Sequence, residues 1–92
     1  MRVSFDFDGT LTKPDVQVAF NIMKTRENKL FIITSRNGPM NSHSNHDLNM
    51  FTSVFGIKHE DVIFTYGAPK HQSIVTFDID RHYDDNSVEI RE

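Results

Sequence analysis

The chain contains no cysteine, which excludes disulfides, thiolate metal sites and a cysteine nucleophile together. It has no apolar run near the ~20 residues needed to span a bilayer, and Met1-Arg2-Val3-Ser4 lacks the form of a signal peptide. A surplus of basic residues is also missing: 10 Lys and Arg stand against 13 Asp and Glu, a net charge of -3. That balance gives no clear nucleic-acid signal and argues against an anionic-membrane binder. Apolar residues are modest too, at 37% of 92 residues, so one small core is all the chain can build. The composition predicts a single domain over residues 1–92, soluble and cytoplasmic.

What is present alternates between two periodicities. Val3, Phe5 and Phe7 fall on one face at period two, predicting a strand that stops before Gly9. Pro14 and Asp15 suit a helix's first turn, and Val16, Ala19, Phe20 and Met23 continue it at helical spacing toward Asn28. Leu30 to Ile33 is an unbroken apolar run, the pattern of a parallel strand covered on both faces. A second helix is predicted from about Asn45 to Phe55, with Gly56 as its C-terminal cap. Val62 to Thr65 reads as a third strand, Lys70 to Phe77 as a short helix with Ile74 and Phe77 as its apolar pair, and Asp80 to Tyr83 as a fourth strand. Alternating strands and helices predict an α/β fold: a Rossmann-like three-layer sandwich around a mainly parallel sheet of about four strands.

Such sheets bind ligands beyond the carboxyl ends of their strands. The polar residues gather there: Asp6, Asp8 and Thr10 after the first strand, Thr34 and Ser35 after the second, Asp84 and Asp85 after the fourth. Residues two apart in an extended chain point the same way, so Asp6 and Asp8 can address one site. Neighbouring carboxylates repel until a proton or a cation relieves them. Oxygen ligands with open positions suit Mg²⁺, and Thr34 or Ser35, backbone N–H groups and Lys70 are donors for an anion. Acids for a metal together with donors for an anion point to phosphoryl transfer. A calcium loop fails, because Gly9 comes too early and Gln17 stands where the bidentate Glu belongs. His43 and His46 have ligand-like spacing but no third partner, and the remaining histidines read as surface residues. Arg36 reads equally as a substrate contact or a surface ion pair.

Phe5-Asp6-Phe7-Asp8-Gly9-Thr10-Leu11 resembles the first motif of the haloacid-dehalogenase superfamily, an apolar strand followed by Asp-x-Asp-x-Thr-Leu. Phe31 to Ser35, Lys70 and Tyr83-Asp84-Asp85 are similar to its second, third and fourth motifs, in order. The resemblance implies a HAD-like fold and a Mg²⁺-dependent phosphatase. In it Asp6 would be the nucleophile that forms an aspartyl-phosphate, and Asp8 the general acid and base. Thr34, or Ser35 in the other register, would bind the phosphoryl group, and Lys70 would neutralise it and orient Asp6. The metal would be held by Asp6, the Asp8 carbonyl and Asp84, with Asp85 nearby; which of the two last acids binds directly stays open.

One helix fills the stretch from Thr10 to Thr34, and one helix and one strand fill that from Ser35 to Lys70, so no cap module is expected. The partner would be a phosphorylated small molecule or an exposed phosphate on a macromolecule. The family usually continues past its fourth motif, so the expectation here is either a fragment or a minimal version whose fourth strand forms the sheet's edge, protected by Arg81 and His82. The alternatives are a phosphotransferase of the same fold and a catalytically silent binding or regulatory protein.

Overall fold

The computed structural model describes residues 1–85 and 88–90. The strands are β1 (Arg2–Phe5), β2 (Lys29–Thr34), β3 (Val62–Phe64), β4 (Arg81–Tyr83) and β5 (Val88–Ile90), and the helices α1 (Pro14–Lys24), α2 (His46–Phe55) and α3 (His71–Thr76). The sheet order is β3-β2-β1-β4-β5. The first four strands are parallel, and β5 runs antiparallel to β4. The α/β class and the parallel sheet are as the periodicities predict.

The crossovers β1-α1-β2 and β2-α2-β3 step in one direction, and β3-α3-β4 steps back across the sheet. With right-handed connections, that reversal sends α3 to the opposite face from α1 and α2. The core divides accordingly. Val3, Phe5, Leu30, Ile32 and Val62 meet Phe20 of α1 with Leu48 and Phe51 of α2. Phe31 and Ile33 meet Ile74 of α3 and Ile79.

Three expectations change. The fourth strand is not the edge: β5 pairs along it, Tyr83 opposite Val88. His82 is consequently no edge guard or surface histidine. It is 2% exposed, and its Nδ1 lies 2.7 Å from Ser4 Oγ on the neighbouring strand. Phe77 is not the partner of Ile74. Asp78 adopts a left-handed φ of 57°, which turns the chain so that Ile79 enters the core while Phe77 stays 37% exposed.

Helix ends follow local chemistry. Helix α1 stops at Lys24, short of Asn28, because side chains take over its last carbonyls: Thr25 Oγ1 donates to Ile22 O and Asn28 Nδ2 to Met23 O. Gly56 caps α2 at φ 68°, the left-handed position where a Cβ is unfavourable. Among the described residues, no helix is long and apolar enough to cross a membrane.

Candidate active site

Strand order reverses between β1 and β4, which is where an open parallel sheet leaves a crevice at its carboxyl edge. Asp6 stands at that point. Its N–H extends the ladder by donating to Tyr83 O at 2.9 Å, so the backbone is fixed although β1 has ended. Directly afterwards the chain turns through Phe7–Leu11, with Asp8 extended and Gly9 at φ 75°. This turn lies against the loop after β4: a Cβ on Gly9 would stand 3.6 Å from Asp85 Oδ2.

Lys70 reaches the same place from the loop before α3. Its Nζ donates to Asp6 Oδ1 at 2.6 Å and lies 3.9 Å from Asp84 Oδ2. Both side chains of the Asp6–Lys70 pair are largely shielded, at 11% and 19% exposure, so water screens their attraction less than on an open surface. Segments far apart in sequence thus place two carboxylates around one ammonium.

Asp84 and Asp85 titrate as a pair. Burial pushes Asp84 up, but hydrogen bonds from the Asp85 carboxyl and backbone N–H, with the charges of Lys70 and His82, bring it below the ordinary carboxylate value. Asp85 moves up, chiefly because it shares that hydrogen bond with Asp84, helped by slight desolvation and by the charges of Asp84 and Asp6. The acids are crowded enough that one of them favours its proton, the repulsion a cation would relieve.

Asp8 engages a different partner. Arg36 Nε donates to its Oδ2 at 2.9 Å and Nη2 to its Oδ1 at 2.7 Å. The same guanidinium forks onto Asp47 of α2, with Nη1 to Oδ1 at 2.6 Å and Nη2 to Oδ2 at 2.9 Å, and lies 5.0 Å from the Phe7 ring centre. The ion-pair reading of Arg36 is the one found in the structure. These bonds, led by that to Asp47, drive Arg36 still further above its ordinary value and lower Asp47 to about 2.

Thr34 has no exposed surface, and its Oγ1 accepts the Arg36 N–H at 3.3 Å. Ser35 is exposed at the end of β2. Of the two hydroxyl residues, Ser35 is therefore the one with accessible surface.

The structure therefore brings Asp6, Lys70, Asp84 and Asp85 together, while the Asp8 carboxylate joins the β2–α2 loop. Sequence reasoning missed Asp47, whose only sign is an acid in the first turn of a helix, and the Ser4–His82 pair. Among the described residues, no three His, Asp or Glu side chains are grouped as metal ligands. Mg²⁺ commonly uses one or two carboxylates and fills its other positions with carbonyl, water or phosphate oxygens, so Asp6, Asp84 and a neighbouring carbonyl are a fitting donor set.

A groove of about 340 Å³ between α1 and β4, lined by Val3, Ala19, Ile22, Met23 and Tyr83 among others, is more apolar than this rim. It extends toward the other end of the sheet, and among the described residues no acid lines it. No family model, curated protein or solved structure matches the chain.

Proposed function

We propose that this protein is a Mg²⁺-dependent phosphomonoester hydrolase of the haloacid-dehalogenase type, working through an aspartyl-phosphate on Asp6. The observation that carries the reading is the shielded Lys70–Asp6 contact of 2.6 Å beside Asp84 at the strand-order reversal. A structural ion pair has no need of a second acidic pair beside it; a site that must hold a cation for a phosphoryl group does.

A free Asp6 oxygen forms a bond to phosphorus as the ester P–O bond breaks. The electron pair of that bond stays on the leaving oxygen, which takes a proton from the Asp8 carboxyl. Water then gives a proton back to Asp8 and attacks phosphorus, releasing inorganic phosphate and restoring Asp6. Lys70 offsets charge on the transferring group and holds the unused Asp6 oxygen. Asp6, the Asp8 carbonyl and Asp84, with Asp85 beside them, would hold Mg²⁺, which supplies further charge neutralisation when bound. Ser35 or Thr34 would donate to a phosphoryl oxygen. The short connections either side of β2 leave this rim open to a phosphate carried on a large molecule.

The test is phosphate release from a panel of phosphomonoesters, with Mg²⁺ or with chelator, for wild type and Asp6→Asn. Release should need the metal and should fall by roughly three orders of magnitude or more in the variant, as when a nucleophile is removed elsewhere. Activity that survives both treatments overturns the mechanism. Phosphate appearing on an added alcohol instead of in solution identifies a phosphotransferase, and no turnover by folded protein identifies a silent binding protein.

A further inference from the structure

Asp8 is the residue whose surroundings fit its assigned chemistry least. To protonate a leaving oxygen it must reach that oxygen, yet both its own oxygens accept hydrogen bonds from Arg36. A carboxylate gripped in this two-pronged way is turned to the β2–α2 loop and not to an ester oxygen at Asp6. Resting and proton-donating states of Asp8 must therefore differ in geometry.

Arg36 is held by further contacts that do not involve Asp8. Asp47 takes a second pair of its N–H bonds, Ser44 O accepts from Nη1 at 3.3 Å, and the Phe7 ring lies beneath the guanidinium. When Asp8 departs, the cation keeps Asp47, Ser44 and the ring, so no charge is left stranded. Asp8 itself is 53% exposed on its side chain and sits in extended backbone next to left-handed Gly9. The loop carrying Arg36 is pinned independently: buried Asn45 donates to Asn37 O at 2.8 Å and to Pro39 O at 2.9 Å.

We propose that Arg36, anchored by Asp47, is a positioning residue that holds Asp8 toward the β2–α2 loop at rest and releases it to protonate the departing ester oxygen. The inference rests on the phosphatase reading and adds a control on its acid step. Asp47 is the second half of the device, competing with Asp8 for one guanidinium and thereby setting how tightly Asp8 is held.

The experiment compares kcat/KM for an alkyl phosphate, whose leaving oxygen needs a proton, with that for p-nitrophenyl phosphate, whose leaving group departs unprotonated. This parameter covers steps through the first phosphoryl transfer, so the later base role of Asp8 does not mask the effect. In Arg36→Met the alkyl-to-aryl ratio should rise by about fivefold, the scale of one exposed ion pair. In Asp47→Asn, with Arg36 left to Asp8 alone, the ratio should fall.

A merely structural role would lower both esters alike in both variants. Esters that are hydrolysed with ratios unmoved, or moved together in one direction, overturn the latch and leave the phosphatase standing. Wild type that hydrolyses neither ester overturns the phosphatase and the latch with it. If Arg36→Met does not fold, Asp47→Asn decides alone: a falling ratio supports the latch, and a constant or rising one overturns it.

Discussion

Alternate residues of β1 face two unlike environments. Val3 and Phe5 enter the α1–α2 side, where Phe5 packs edge-on to Phe20 at 5.1 Å and stacks on Tyr83 at 4.8 Å. Phe20 then meets Phe51 and Phe55 at 5.6 and 5.8 Å. Ser4 points to the other side and finds buried His82, where, among the described residues, Phe31, Ile33, Ile74 and Ile79 form the buried apolar cluster, with Ile63 packed against it. Asp6 continues that second side and meets Lys70. One face thus carries most of the apolar mass, and the thinner face carries the candidate chemistry. In so small a domain, the same strand supplies both by its twofold alternation.

The difference can be broken from either side. Phe20→Ala, on the thick face, should produce the largest loss of stability, about 3–5 kcal/mol by urea unfolding. Its activity per folded molecule should change little. Ile74→Ala, on the thin face, should cost about 2 kcal/mol, the lower end for such a truncation because few apolar neighbours surround it. Activity should fall more than in Phe20→Ala, since α3 begins beside Lys70. The two faces are not separate in function if Phe20→Ala, assayed where it is folded, loses as much activity as Ile74→Ala.

Ser4→Ala sharpens the comparison with a smaller effect. It removes the hydroxyl 2.7 Å from His82 Nδ1, and disturbing a buried polar pair costs about 1–3 kcal/mol. Ser4→Val, which fills the space with apolar atoms, should cost no less than Ser4→Ala if the hydrogen bond matters. Recovery of stability in the valine variant would mean that the thin face lacked only bulk.

How far the fold could be read in advance follows the same division. The run Leu30 to Ile33 announces a strand covered on both faces, and Gly56 announces a helix end; both signals are local. The meeting of Asp6, Lys70 and Asp84 was legible for a different reason, since a parallel sheet sends all its strand ends to one rim. His82 was not legible. Its partner Ser4 lies 78 residues away on another strand, and Arg81-His82-Tyr83 looks the same whether its strand is an edge or not. Ile79 was hidden by the left-handed turn at Asp78, a backbone choice uncommon outside glycine even though aspartate tolerates it better than most. The partner of Asp8 was half visible: Arg36 stood out beside the second motif, but the competing claim of Asp47 depends on how α2 is docked.

The smallest predicted effect concerns that competing claim. Asp47 is lowered to about 2 from 3.8, first by the hydrogen bond with Arg36. A depressed folded-state value means that the stabilisation is complete above about pH 4, where the unfolded chain's aspartate is also ionised, and is lost as pH falls toward 2. The side chain is 59% exposed, so salt and water keep the contribution below about 1 kcal/mol despite the large shift. Wild type should therefore exceed Asp47→Asn slightly in urea midpoint at pH 6 and low salt, and the gap should close both at pH 2 and in 1 M salt. A gap that persists at pH 2 would assign the benefit to packing or to the Leu48 N–H bond of Asp47 (2.9 Å). The bonds between Arg36 and Asp47 would then add nothing measurable to stability, and Asp47 would be a weak competitor for the guanidinium.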